Sequence, residues 1–256
     1  MRAKHPVFDN NIAPDATIWR YFDYPKFTAM LLKKALFFSR ANLLGDPLEG
    51  SFTRARESEK QFLLDNPPEE KNREYLEFLF QEDARITRSL GFANYINCWH
   101  LGDHESMAMW SAYSAGPYGI AIRSTYKILD EIIPLKFKLT QKEEPIYIGR
   151  VKYMDYSSVI ERIPEESNVH GPFMCKSLAY QHEAEIRAVF FDSSSIYKDN
   201  TQVGYFIEVD LNALIKTVVI SPLAPEWFKT IIESICSKCG FSFQVEQSII
   251  SNPPIY

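Results

Sequence analysis

The sequence has few cysteines, no long apolar run and no excess of positive charge, and each shortage excludes a class of protein. Its 256 residues include four cysteines, too few for a disulfide framework and typical of a reducing compartment. No stretch approaches the roughly 20 apolar residues that a membrane span needs, and the first ten residues lack the apolar core of a signal peptide. We therefore expect a cytoplasmic protein without a membrane partner.

The net charge of −5 argues against a protein whose whole surface coats nucleic acid or an anionic membrane, although a local basic groove is compatible with it. Cys236 and Cys239 have the spacing of a zinc-binding pair. A zinc site requires two further ligands at matching spacing, and Cys98 and Cys175 lie far away in the sequence. The pattern fits better with Cys236 on the buried face of a helix that stops at Gly240, so we expect no metal.

Aromatic residues are abundant, with 18 phenylalanines and 14 tyrosines. A chain of this length can bury a full apolar core without disulfide bonds or bound metals to stabilise it. Residues 1–16 are polar and contain prolines, which predicts a flexible arm. Residues 17–256 contain no repeat and no linker, which predicts a single domain. Within it, the charged residues at about 52–90 are compatible with helix on both sides of an interruption at 66–70, which predicts a helical insertion.

Strands and helices are predicted to mix along the whole domain. Alternating, β-branched and aromatic stretches predict strands at 18–22, 35–39, 92–99, 118–124, 145–153, 205–210, 214–220 and 241–245. Outside the insertion, helices are predicted at 27–34, 107–113, 126–133, 173–181 and 225–238. The second helix of the insertion is predicted from about 68 to 90.

The stretch from Tyr180 to Phe191 carries charges at alternate positions and then becomes apolar. If it is extended, Glu183, Glu185 and Arg187 share one face. Like charges two residues apart on a strand repel, so the presence of two glutamates on one face has to be explained. One interpretation is a solvated edge strand in which Arg187 neutralises its neighbours, and the other is a catalytic carboxylate pair in a cleft.

Arg20 lies in the middle of the first predicted strand, between large apolar residues. An unpaired buried charge is costly, so Arg20 requires an anion, either a carboxylate of the protein or a bound phosphate or carboxylate.

Asp46 and Glu49 lie in the loop after the second predicted strand. They could line a site, but their spacing around Pro47 favours a capping pair at the start of the next helix.

These residues belong to four short motifs: Trp19-Arg20-Tyr21, Gly45-Asp46-Pro47-Leu48-Glu49, Met109-Trp110-Ser111-Ala112-Tyr113 and Glu183-Ala184-Glu185-Ile186-Arg187. In this order they resemble a widespread, largely uncharacterised bacterial domain family. Its usual pattern is Arg-Tyr, Asn-Asp-Pro-x-Glu, Met-Trp-x-x-Tyr and Glu-x-Glu-x-Arg, and the resemblance covers residues 18–250. Gly45 stands where that family usually has asparagine.

The same order of motifs is similar to that of the ADP-ribosyltransferase superfamily, whose members use an arginine or histidine on the first core strand and a late glutamate, often as Glu-x-Glu. This resemblance implies an α+β fold with a split, mostly antiparallel β core and surrounding helices. It also implies NAD as the substrate and a macromolecular acceptor (RNA, DNA or protein). Bacterial enzymes of this kind are often toxins or anti-phage effectors, which implies a neutralising antitoxin.

The resemblance gives the acidic motif a catalytic role. Glu185 would orient the ribose of NAD and stabilise the oxocarbenium-like cation that develops when the nicotinamide bond breaks. Glu183 would take the proton from the incoming nucleophile. Arg187 is expected to hold the two glutamates in place as an ion-pair partner, with Asp46 and Glu49 as further supporting residues.

The remaining motifs would bind NAD. Arg20 would hold the pyrophosphate, with Tyr21 beside it, and Ser39 at the end of the second strand would hold the ribose. Trp110 or Tyr113 would stack on the nicotinamide ring. Taken alone, Trp110 is more often a core residue and Tyr113 more often an aromatic that packs its helix.

The macromolecular acceptor is expected to contact residues 52–90 and the loops near 160–172. The insertion carries a set of basic residues that would suit a nucleic-acid acceptor, namely Arg54, Arg56, Lys60, Arg85 and Arg88. The same residues fit a solvated helix equally well.

Two other functions remain open at this point. In the first, Asp46, Glu49, Glu183 and Glu185 surround a divalent ion in a metal-dependent nuclease or hydrolase. In the second, the protein is a non-enzymatic sensor or binding module in which Arg20 and Glu185 form a buried structural pair.

Overall fold

The computed structural model describes residues 2–114, 116–139, 142–164, 168–196 and 202–251. Its strands are β1 (Thr17–Asp23), β2 (Ala35–Arg40), β3 (Asn94–Leu101), β4 (Gly119–Thr125), β5 (Lys136–Leu139), β6 (Lys142–Pro145), β7 (Tyr147–Arg150), β8 (Lys152–Met154), β9 (Cys175–Ser177), β10 (Glu185–Phe191), β11 (Gly204–Glu208), β12 (Thr217–Ile220) and β13 (Val245–Gln247). Its α-helices are α1 (Tyr24–Lys33), α2 (Arg54–Asp65), α3 (Arg73–Ala93), α4 (Met107–Tyr113), α5 (Tyr126–Ile132), α6 (Leu211–Leu214) and α7 (Glu226–Lys238).

One large sheet dominates the fold. Its strand order is β11-β2-β3-β1-β4-β12-β13, and β10 and β7 continue the sheet from the other edge of β3. Neighbouring strands of this sheet run antiparallel except β12 and β13, which are parallel. The mixed α+β class and the mostly antiparallel sheet predicted from the sequence are therefore confirmed.

The sheet is split along one edge of β3. On the other edge, β10 pairs with β3 over its whole length, from Glu185 opposite His100 to Phe191 opposite Asn94. On the split edge, β2 pairs with the beginning of β3 and β1 pairs with its end. Because β1 and β2 diverge there, residues 97–99 of β3 face a gap between two strands.

Helices cover one face of the sheet and form the main core. Leu31 of α1, Leu129 of α5 and Ile232 of α7 are fully buried in one cluster with sheet residues such as Ile120 and Phe190. Burying apolar surface in this way is the main force that holds the layers together. The opposite face carries a smaller cluster under α4, made of Trp19, Tyr21, Met109, Trp110, Ala121 and Val219.

β10 is a central strand, with β3 on one side and β7 on the other. Six of its seven residues are buried, including Glu185 and Arg187. The interpretation of this stretch as a solvated edge strand is therefore wrong. Glu183 is not part of the strand either, since it ends a 3-10 helix over Leu178–Glu183 and Ala184 has left-handed backbone angles.

The helical segment at 52–90 is present as α2 and α3. Thr53 accepts the capping hydrogen bond of α2, and Asn72 accepts that of α3 from the backbone of Tyr75. The second helix therefore begins at Arg73, later than the expected start near Pro68, because Asn72 is the residue that caps its N-terminus.

The arm over residues 1–16 is packed against the domain in its described part, whereas its polar composition predicted a flexible segment. Phe8 and Ile12 are buried. The guanidinium of Arg2 contacts Asp130 at 2.7 Å and donates to several carbonyls, among them that of Ile146. Three buried side chains thus hold the polar segment in place.

Several predicted elements have other boundaries. Residues 173–181 do not form one helix, because β9 and the 3-10 helix at 178–183 divide them. The strand predicted at 214–220 begins at Thr217, since Asp210 caps the short helix α6 before it. Within the described ranges, none of the helices combines the length and the apolar character that crossing a membrane requires.

Candidate functional site at the split of the sheet

A cavity of about 530 Å³ opens at the gap between β1 and β2. Its walls come from β1, β2 and the middle of β3, and from the loop after β2, α4, β9 and β10. The volume is in the range of sites that take a small molecule. The split of the sheet therefore produces a site between strands that lie far apart in the sequence.

Four charged side chains line the inner wall of the cavity: Glu49, Lys176, Glu185 and Arg187. Alternation along β10 puts Glu185 and Arg187 on the same face, and the guanidinium of Arg187 contacts the carboxylates of both Glu185 and Glu49. Lys176 on β9 donates to Oε1 of Glu185 at 3.0 Å. Each buried carboxylate thus has a cation beside it, as buried charges require.

The charge distribution keeps Glu185 ionised. Burial alone would raise the pKa of Glu185, but the charges of Arg187 and Lys176 and the hydrogen bonds that the carboxylate accepts outweigh burial and hold this pKa well below its usual range. Burial raises the pKa of Glu49, and the charge of Arg187 counteracts only part of that effect. The cavity wall therefore carries a carboxylate, on Glu185, that stays charged at any physiological pH.

Glu183 lies behind this wall. Glu183 is only 3% exposed and does not line the cavity. It contacts Lys176 Nζ at 2.5 Å and accepts a hydrogen bond from the hydroxyl of Tyr113 at 2.9 Å. Burial, together with the neighbouring carboxylate of Glu185, raises the pKa of Glu183 to about 7. Arg187 holds Glu185 and Glu49, so the cation beside Glu183 is Lys176 and not the arginine that we expected.

Arg20 lines the cavity from β1 without a carboxylate partner among the described residues. One of its terminal nitrogens donates to the carbonyl of Phe37 at 3.2 Å, and Nη1 is buried with no partner in the described part of the chain. The rings of Phe22 and Trp99 lie 5.2 and 6.0 Å from the guanidinium carbon. Burial lowers the pKa of Arg20 to about 10. The structural pair between Arg20 and Glu185 is not formed, because Glu185 binds Arg187 and Lys176.

Three of the four remaining residues predicted to bind NAD line the cavity: Tyr21, Ser39 and Tyr113. The hydroxyl of Tyr21 accepts a hydrogen bond from the backbone of Ser106, and burial raises the pKa of Tyr21 to about 12. Trp110 does not line the cavity, because its ring is packed in the cluster under α4 and donates to Glu105. Of the two aromatic residues offered for stacking on the nicotinamide, Trp110 is therefore a core residue and Tyr113 is the one that lines the cavity.

Asp46 and Glu49 do not cap the next helix, which Thr53 does. Asp46 instead accepts a hydrogen bond from the backbone of Leu48 at 2.9 Å and so shapes the loop. This turn delivers Glu49 into the cavity wall beside Arg187. Asp46 is a supporting residue of the loop, and Glu49 belongs to the site.

Sequence reasoning missed two polar residues of the wall. Lys176 carried no signal, since it lay in a stretch interpreted as helix. His100 fell just outside the strand predicted at 92–99, but it belongs to β3, where it lines the cavity and its Nδ1 lies 2.6 Å from the carbonyl oxygen of Glu183. Burial lowers the pKa of His100. Pairing with the start of β10 explains the position of His100, and such a long-range contact leaves no trace in local periodicity.

The acidic residues do not fit a metal site. No group of three or more histidine, cysteine or acidic side chains is placed to hold a metal ion within the described ranges. Glu49 and Glu185 are paired with Arg187, and Glu183 with Lys176. These cations already supply the positive charge that a divalent ion would bring.

Some of the basic residues of the insertion pair with carboxylates. Arg56 pairs with Asp83, and Arg85 pairs with Glu82 on the same helix. Of the loops expected to contact an acceptor, residues 165–167 lie outside the described part of the chain.

Comparison with known proteins finds no family model, no curated protein and no solved structure that matches this chain.

Proposed function

We propose that this protein is an NAD-dependent ADP-ribosyltransferase that binds NAD at the split of the sheet and transfers ADP-ribose to a macromolecule. One observation carries the proposal. Arg20 on β1, Ser39 on β2 and Glu185 at the start of β10 lie far apart in the sequence and line the same cavity. They offer a cation, a hydroxyl and a permanent carboxylate, which are the groups that a dinucleotide with a scissile glycosidic bond requires.

Arg20 is the group that binds the pyrophosphate. Its unpartnered Nη1 is buried in apolar surroundings, where a hydrogen bond to a charged oxygen is strong. A bound phosphate would supply the anion that the described residues do not. The desolvation of this arginine is therefore explained as preorganisation for an anionic ligand.

Glu185 is the group that acts on the ribose. When the bond between ribose and nicotinamide breaks, its electron pair leaves with the ring nitrogen, and positive charge develops on the sugar. A carboxylate that is already ionised and held by Arg187 and Lys176 stabilises that charge without reorganising. Of the two aromatic residues predicted to contact the nicotinamide, Tyr113 lines the cavity and is the one retained.

The rest of the cavity suits the less polar parts of NAD. Met30, Phe37 and Phe206 contribute apolar wall, and Phe206 is 41% exposed at the edge of the sheet. Flat apolar surface of this kind binds the faces of a purine.

Transfer of labelled ADP-ribose tests the proposal. Purified protein is incubated with NAD labelled in its adenylate half and, separately, with cell protein, RNA and DNA. We expect label in one pool with the wild type, and about 10²–10³-fold less with Glu185→Gln, because a group that stabilises the transition state is lost. The absence of both label and free nicotinamide with folded wild-type protein would contradict the proposal.

The resemblance further suggests a toxin or anti-phage effector that acts in the cytoplasm and is neutralised by an antitoxin. Growth arrest upon expression in bacteria, with growth restored by Arg20→Met, would support that role.

A metal-dependent hydrolase is distinguished by chelator, which would abolish hydrolysis and leave transfer from NAD unchanged.

A further inference from the structure

The group assigned to take the proton in this reaction does not reach the cavity. Glu183 is 3% exposed and lies behind the wall, whereas the nucleophile would lie in the cavity with the ribose. Glu185 also lines the cavity beside the carboxyl group of Glu183, but its own pKa is held well below the usual range, so it does not carry the proton. Apart from Glu185, two side chains line the cavity and contact that carboxyl group, namely Tyr113 and Lys176. A proton that is released in the cavity reaches Glu183 through one of them.

The two candidates differ in what they can do with a proton. A relay has to accept a proton on one side and donate one on the other, which a hydroxyl does and an ammonium, having no lone pair, does not. The charges of Glu185 and Glu49 overcome the effect of burial and raise the pKa of Lys176, so that it stays an ammonium. The hydroxyl of Tyr113 already donates to Oε1 of Glu183 at 2.9 Å.

We propose that Tyr113 is a catalytic residue that passes the proton of the acceptor group to Glu183. The acceptor oxygen or nitrogen forms a bond to the ribose carbon as the bond to nicotinamide breaks, and neutral nicotinamide leaves with the electron pair. The proton of the acceptor moves to the hydroxyl oxygen of Tyr113 while the hydroxyl proton moves to Oε1 of Glu183. The inference rests on the proposed function and adds the route of the proton.

The surroundings of the pair suit such a relay. Burial and the charges of Glu183 and Glu185 raise the pKa of Tyr113 far above neutrality, so the hydroxyl transfers its proton only as it receives another. The pKa of Glu183, raised to about 7, makes it a base near neutral pH. The titratable groups packed against Glu183 are Tyr113 from α4, His100 from β3, Lys176 from β9 and Glu185 from β10.

Tyr113→Phe keeps the ring and removes the hydroxyl, and it tests the relay together with Glu183→Gln. We expect the turnover number for transfer to fall by about 10²–10⁴-fold in each variant, with the KM for NAD within twofold of the wild type. The double variant should be no slower than the slower single variant, because both changes interrupt one path. The wild-type rate should rise with pH through about 7, and both single variants should lose that rise.

Tyr118→Phe is the matched control, since Tyr118 is half-exposed on the chain that follows α4 and does not line this cavity. Circular dichroism verifies that each variant is folded. If Tyr113→Phe transfers at the wild-type rate with the wild-type pH profile, the relay is wrong and the proposed function stands. If the wild type releases no nicotinamide from NAD, both are wrong.

Discussion

At the scale of residues, the two arginines of the site are in opposite situations. Arg187 is fully buried between the carboxylates of Glu185 and Glu49 and donates to the carbonyl of Phe173. Arg20 faces the same cavity with a buried nitrogen that has no partner among the described residues. The first arginine stabilises the fold, whereas the second is kept at a cost in stability, which the proposed binding of an anionic ligand would explain.

Replacing Arg20 should separate binding from stability. We expect Arg20→Met to raise the free energy of unfolding by about 0.5–2 kcal/mol, because an unpaired desolvated charge is removed. The same change should weaken binding of ADP-ribose by about 1.5–3 kcal/mol through loss of a charged hydrogen bond. Urea unfolding and titration calorimetry measure the two effects. A loss of stability in Arg20→Met would mean that the protein itself supplies the anion.

The two glutamates of the acidic motif should give opposite pH dependences of stability. The pKa of Glu183 is raised to about 7 in the folded state, so its contribution is fully present below its usual value and is lost as pH rises through 7. The pKa of Glu185 is lowered, so its contribution is present above the usual value and is lost in acid. Relative to Glu183→Gln, the wild type should therefore be more stable at pH 5 than at pH 8. Urea unfolding at both values checks the sign, and a reversed difference would contradict the assignment.

Residue identity alone predicted part of the site. Arg20 stood out because a charge between apolar strand residues has to be explained. Glu49 was misassigned because Asp46-Pro47-Leu48-Glu49 matches a helix cap as well as a turn that delivers a carboxylate to Arg187. Lys176 was missed because nothing local distinguishes a lysine that bridges two buried glutamates from a solvated one.

At the scale of elements, the divergence of β1 and β2 creates the cavity, and Asn97 holds its inner end. The side-chain nitrogen of Asn97 donates to the carbonyl of Phe37 on β2 at 2.9 Å. Its oxygen accepts from the indole of Trp99 at 2.7 Å. Both partners line the cavity, so this buried asparagine links the shape of the cavity to the spacing of the strands.

Removing this link should weaken both the fold and the site. Asn97→Ala leaves the indole N–H of Trp99 and the carbonyl of Phe37 with fewer partners, and an unsatisfied buried group costs about 1–3 kcal/mol. We expect a loss of that size in urea unfolding and a raised KM for NAD. Ser111→Ala, on the exposed face of α4, serves as the control and should change neither. A stable Asn97→Ala protein with an unchanged KM would contradict the link.

The positions of most elements followed from their local patterns, whereas their pairing did not. Alternation and capping predicted β1, β2, α4 and α7 to within two residues. The same alternation along β10 fits an edge strand or a central one, because the partners β3 and β7 come from other parts of the chain. Only the pairing reveals that the charges of β10 are buried.

At the scale of the whole molecule, the acidic balance of the chain and the ion pairs of the helical segment argue against a surface that coats nucleic acid. The net charge is −5, and Arg56 and Arg85 are neutralised by neighbouring carboxylates. The composition of the chain predicted a full apolar core. The order of the motifs predicted a split sheet. The convergence of Arg20, Ser39 and Glu185 on one cavity required the three-dimensional structure.

Release of nicotinamide from NAD tests the central claim most directly, because it does not depend on the acceptor. Wild type, Arg20→Met and Glu185→Gln are compared by chromatography of the free base, with circular dichroism to verify folding. The account predicts turnover by the wild type, a raised KM for NAD in Arg20→Met and about 10²–10³-fold slower release by Glu185→Gln. Folded wild-type protein that releases no nicotinamide, with and without cell extract, would contradict it.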